Sequence, residues 1–100
     1  IEIGTVFDTH ARVADANGLK NHRFNACGYS LGTTYTPTWM DWPMLYHGNN
    51  MIVELNMVFF LHMIFVNSDS QKAMTLGHTV LVTETGCERL SRLPPDLISV

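Results

Sequence analysis

The sequence predicts an α+β domain, one helix followed by strands, and three observations carry that reading. Apolar residues recur at three- and four-residue steps near the N-terminus. Two β-branched and aromatic runs flank a polar turn in the second half. Glycines and prolines punctuate the chain between them.

Val6, Phe7, His10, Val13 and Ala14 share one face of a 3.6-residue period, and Asn17-Gly18 follows as a stop, which predicts an amphipathic helix over 3–17. From Asn25 to Tyr35 the chain reads as strand interrupted by small residues and two glycines, where another backbone can approach closely. Thr36 to Asn50 holds Pro37, Pro43, Gly48 and two tryptophans, so it reads as a long aromatic-rich loop of the kind that forms lids or binding loops.

Met57–Val66 reads as a strand entering a turn at Asn67-Ser68-Asp69-Ser70, with Lys72–Thr83 as the return strand. Apolar residues fill odd and even positions alike, so this hairpin is expected to be buried on both faces. Thr83–Gly86 forms a second turn, a short strand Cys87–Leu90 follows, and Pro94-Pro95 ends regular structure.

An apolar share of 46% with 15% charged residues suits a packed core rather than a disordered chain. One hundred residues make one small domain of marginal stability, and a chain opening Ile1-Glu2-Ile3 without Met reads as part of something longer. The net charge of −3, with six Lys and Arg scattered among acids, provides no basic stripe for nucleic acid. Met57–Val66, the longest apolar run, is too short to span a bilayer, and no targeting segment precedes the helix, so a soluble cytoplasmic protein is expected. Cys27 and Cys87 lack any paired spacing and read as free thiols.

Candidate chemistry begins with His62 and His78, since an imidazole inside an apolar strand must find a hydrogen-bond partner or cost stability. If the hairpin closes with Val66 opposite Lys72, His62 faces Leu76 and His78 faces Phe60. The two imidazoles are then same-face diagonal neighbours roughly 7–8 Å apart, within reach of one ligand. Two core histidines satisfied by backbone are the other possibility. Tyr29 offers a phenol beside Gly28. Gly28-Tyr29-Ser30-Leu31-Gly32 also matches the letters of a serine-hydrolase nucleophile elbow, without its strand-turn-helix context. Trp39, Asp41 and Trp42 set a carboxylate between indoles, suited to a cationic or apolar small ligand; the indoles could equally fasten the loop to the core. His22 and His47 read as solvated turn residues.

The order of motifs is similar to that of a known superfamily: a helix ending Asn17-Gly18-Leu19, the Gly28–Gly32 strand, a Pro- and Trp-containing loop, Glu54–Phe59 and Thr79–Gly86. It resembles the C-terminal segment of the creatinase, Xaa-Pro dipeptidase and methionine aminopeptidase superfamily, closest to its ectoine-hydrolase-like branch. Nearly the whole chain takes part, and Thr79–Gly86 followed by Cys87-Glu88 is the most specific stretch. The resemblance implies part of a pita-bread fold, a curved and mainly antiparallel sheet with a helix on its outer face, with residues 1–100 a partial catalytic domain.

In the family's metallopeptidases two metal ions are held by two aspartates, a histidine and two glutamates. The aspartates would lie upstream of Ile1. The histidine position falls at Tyr29, the first glutamate at His62, and the second at Gly77, or at His78 if the register slips by one. The resemblance therefore implies no dinuclear metal site of the usual kind, and no cofactor is expected. Creatinase is the superfamily's precedent for metal-free C–N hydrolysis by a histidine acid and base. That histidine's position is Tyr29 here, so His62 or His78 would have to serve. The implied activity is hydrolysis of a C–N bond in a small amino-acid derivative or Xaa-Pro dipeptide. A non-catalytic ligand-binding or dimerising relative, or an inactive truncated product, stands as the alternative. The expected partners are a small substrate and a second copy of the chain, because a half-fold leaves apolar sheet surface open.

Overall fold

The computed structural model describes residues 1–32, 34–96 and 99, with backbone only for Asp41 and Trp42. One helix, α1 (Ile3–Ala16), precedes five strands: β1 (Ala26–Ser30), β2 (Asp41–Tyr46), β3 (Val58–Asn67), β4 (Lys72–Thr83) and β5 (Gly86–Arg89). The strands form a single antiparallel sheet in the order β2-β1-β3-β4-β5. The α+β architecture, an open antiparallel sheet with one helix, stands as the sequence predicts, with β2 as a strand beyond the four expected.

The helix forms where the apolar period places it, with Ile3, Phe7 and Ala14 buried. Its first amides have no intrahelical partner. Ile3 N–H donates instead to the Met51 carbonyl at 2.7 Å and Gly4 N–H to that of Asn49 at 2.9 Å. This docking is close: a Cβ on Gly4 would lie 2.9 Å from the Asn49 backbone. Asn49 is buried and bonded at both ends of its side-chain amide, Nδ2 donating to Met44 O (2.7 Å) while its Oδ1 accepts from Met51 N–H. At the other end Gly18, at φ +76°, closes a Schellman motif: Leu19 N–H reaches Ala14 O and Gly18 N–H reaches Asp15 O.

The core joins Ile3 and Phe7 of the helix to Cys27, Leu45, Phe59 and Val80 of the sheet. The helix lies against β2 and β1. Since a helix is about 10 Å wide and strands are about 4.8 Å apart, α1 covers two strands and leaves the same face of β3 and β4 incompletely covered. Two expectations are corrected for this reason. Val13, placed on the apolar stripe, is 52% exposed, and within β3 and β4 only Phe59 and Val80 are fully buried, so the hairpin is not buried on both faces.

The expected loop over 36–50 is also corrected. Residues 41–46 pair with β1 as an edge strand, Tyr46 opposite Ala26 and Asp41 opposite Ser30. Pro43 excludes a central strand, and an edge tolerates it because no neighbour needs its missing N–H. Among the described residues no helix is long and apolar enough to cross a membrane.

Candidate functional site

The hairpin register decides which residues meet. β3 and β4 pair with Asn67 opposite Lys72, one residue away from the expected closure, so His62 faces Gly77 and His78 faces Leu61. A one-residue slip moves a side chain to the other face. His62 and His78 therefore lie on opposite faces, and the shared two-histidine site is not formed. His78 is on the helix side with Leu61, and neither ring nitrogen has a hydrogen-bond partner among the described residues. The same register settles which residue lies across from His62, namely Gly77.

On the face away from the helix, four aromatic residues come together. Gly28 begins the arrangement, because a Cβ there would sit 2.3 Å from the Phe60 carbonyl oxygen, and its absence brings β1 against β3. A register shift between Ala26 and Tyr29 lets Cys27 enter the helix-side core while Tyr29 stands opposite Phe60. The Tyr29 and Phe60 ring centroids are 5.6 Å apart, Phe60 and His62 5.2 Å, and Tyr29 meets His62 edge-on at 6.5 Å. These are ordinary stabilising separations for rings. Trp39 Nε1–H donates to Tyr29 Oη at 3.0 Å, which binds the segment before β2 to this cluster. Trp39 itself stays 53% exposed, leaving indole surface open beside a buried phenol.

Of the other candidates, the side chains of Asp41 and Trp42 lie outside the described residues; their backbone opens β2. Ser30 ends β1 with no helix after it among the described residues, so the strand-turn-helix elbow of a serine hydrolase is absent. His47 is exposed and pairs with Asp8 across 2.8 Å. His22 is fixed through its carbonyl, which accepts from Val66 N–H. Burial pushes the Cys27 thiol up to about 11, so it carries no thiolate near neutral pH.

Sequence reasoning missed Phe60 and the helix-side polar pair. Phe60 precedes His62 by two residues in a strand, and that period was the available signal. Arg23 donates to Asp15 through Nε at 2.8 Å and lies over the Phe7 ring, holding the Asp15 carboxyl below its usual range. Nearby, burial and then the Arg23 charge lower the pKa of His10.

Tyr29, His62 and Gly77 are the positions that the resemblance marks as metal ligands, and they do share one face. They do not fit a pair of divalent ions. The set provides a phenol, one imidazole and a residue without a side chain, where such ions take bridging carboxylates. Among the described residues no three His, Cys, Asp or Glu come together as a ligand group.

The fold thus defines a class: an open antiparallel sheet with a helix on one face, matching a fragment of a pita-bread α+β fold. The X-Pro aminopeptidase from Thermotoga maritima MSB8 has this arrangement, superposing with a TM-score of 0.83 over 96% of the chain at 17% identity. The chain spans 26% of that structure, about a quarter of its length. No family model matches the sequence, and no curated protein matches it. The likeness shows the fold.

Proposed function

We propose that this chain is part of the catalytic domain of a C–N bond hydrolase of the creatinase and Xaa-Pro peptidase kind, within its ectoine-hydrolase-like branch. Its substrate is a small amino-acid derivative with an amide or amidine bond. One observation carries the reading: Tyr29, Trp39, Phe60 and His62 cluster on the helix-free face, at and around the positions that the resemblance marks as the reaction centre.

In this reading His62 is the acid and base. Its neutral imidazole takes a proton from water as the oxygen attacks the substrate carbon, and returns it to the nitrogen as the C–N bond breaks. Tyr29, fixed by Trp39, lies beside the reacting group, and the open indole of Trp39 contacts the substrate's apolar or cationic part. His78 has no part in it, being on the far face.

The test uses the longer polypeptide that contains this chain, assayed against Xaa-Pro dipeptides and cyclic amides and amidines. Turnover of one class, lost in His62→Gln while the fold is kept, is the expected result. Turnover undiminished in His62→Gln would overturn the assignment. Binding without turnover would favour the second reading, a non-catalytic relative.

A further inference from the structure

Position 77 governs how His62 is held. Gly77 lies directly across the hairpin from His62, and a Cβ built on it would come within 2.5 Å of Phe60 Cζ and 3.0 Å of Cε1. The tip of the Phe60 ring therefore rests on the Gly77 backbone, in volume that any other residue's side chain would take. From there the ring reaches His62 at 5.2 Å, inclined by 50°, while Tyr29 meets the same imidazole at 80°. His62 is flanked by one ring from its own strand and one from β1.

We infer that Gly77 and Phe60 form a positioning pair for His62: the missing side chain at 77 seats Phe60, and Phe60 with Tyr29 fixes the imidazole. The consequence is exclusive. A carboxylate at 77 and the seated ring cannot occupy the same space, so this face holds an aromatic clamp where a ligand-bearing residue would otherwise project. Phe60 acts through His62 and is a positioning residue. The inference rests on the proposed role of the His62 face, but its geometry is measurable without turnover.

Proton NMR of the chain provides the test. An Overhauser contact links the tip of the Phe60 ring to the Gly77 Hα. It is expected to be lost in Phe60→Leu, with the His62 imidazole resonances moving as well. Gly77→Ala should move the His62 resonances in the direction that Phe60→Leu does, and the Gly77→Ala destabilisation should shrink in a Phe60→Ala background, since the clash is then gone. Should Gly77→Ala fail to fold, the Phe60 variants decide alone. Unmoved His62 resonances in a folded Phe60→Leu protein would overturn the inference, as would the lack of a Phe60–Gly77 Overhauser contact in the unaltered chain. A seated ring in a protein that turns over nothing would instead count against the hydrolase reading and leave the clamp standing.

Discussion

Gly28→Ala is expected to cost about 3 kcal/mol, and the structure says where the loss arises. The new Cβ would lie 2.3 Å from the Phe60 carbonyl oxygen and 3.1 Å from Leu61 Cα, both backbone atoms that no side-chain rotation can move aside. A carbon and a carbonyl oxygen settle at about 3.3–3.6 Å, so β1 and β3 must separate by roughly 1 Å. The Gly28–Ser30 ladder with Leu61–Phe59 would then stretch beyond hydrogen-bonding range. Overpacking of this kind costs about 1–3 kcal/mol, and a non-glycine residue at φ +156° adds about 1–3 kcal/mol. In a domain of this size 3 kcal/mol lowers the melting midpoint by roughly 12–24 °C. Far-UV circular dichroism on heating measures it. Gly18→Ala is the control: φ is +76° and nothing lies within 4 Å, so only backbone strain remains, about 1 kcal/mol. A Gly28→Ala loss no larger than the Gly18→Ala loss would refute the close-approach argument.

Three other outcomes follow from the packing. Leu45→Ala, at a side chain 1% exposed in the core, should destabilise by about 2–5 kcal/mol in urea melts. For His10 the folded state disfavours the proton, chiefly through burial and then through Arg23, with Asp15 opposing. The unfolded chain therefore binds more protons below its ordinary value of about 6.5. His10's contribution is fully present above that pH and is lost as the pH falls through the lowered folded value. His10→Leu should flatten this part of a urea-midpoint profile, whereas the Asp15–Arg23 pair is lost only lower, in the carboxylate range. Finally, the groove of about 500 Å³ between α1 and β4, lined by Val6, Leu61, Val80 and Val82, leaves apolar surface open, so the 11.3 kDa chain is expected to sediment as a dimer or larger. A cooperatively melting monomer would contradict that.

The helix, the hairpin and the short last strand were legible because each is written in local signals: a 3.6-residue period with Gly18 at its end, two apolar runs around Asn67–Ser70, and Gly86 at the second turn. β2 was not, because its identity as a strand comes from pairing with β1, while its own residues, Pro43 among them, argue for a loop. Local composition cannot reveal that a segment is a sheet edge, one of the few places where proline is compatible with pairing.

The site divides on one residue of register. Tyr29 and His62 were legible as unusual polar groups in apolar surroundings, yet pairing them with His78 required the hairpin to close with Val66 opposite Lys72. The turn instead joins Asn67 to Lys72, with Gln71 at φ +55° and Ser70 N–H donating to the Asn67 side chain. These choices are made within the four residues of the turn, and every side chain of β4 takes its face from them. His78 goes to the helix side with Leu61, and Gly77 goes opposite His62, where its lack of a side chain leaves room for the tip of the Phe60 ring. His62 is thus flanked by rings, Phe60 of its own strand and Tyr29 of β1, rather than by ligands. An aromatic enclosure holds an imidazole by shape, whereas metal ligation would hold it by a lone pair. The same register that removes the two-histidine site leaves His62 as the one imidazole on the helix-free face of the hairpin, so the proposed acid–base role falls to it alone.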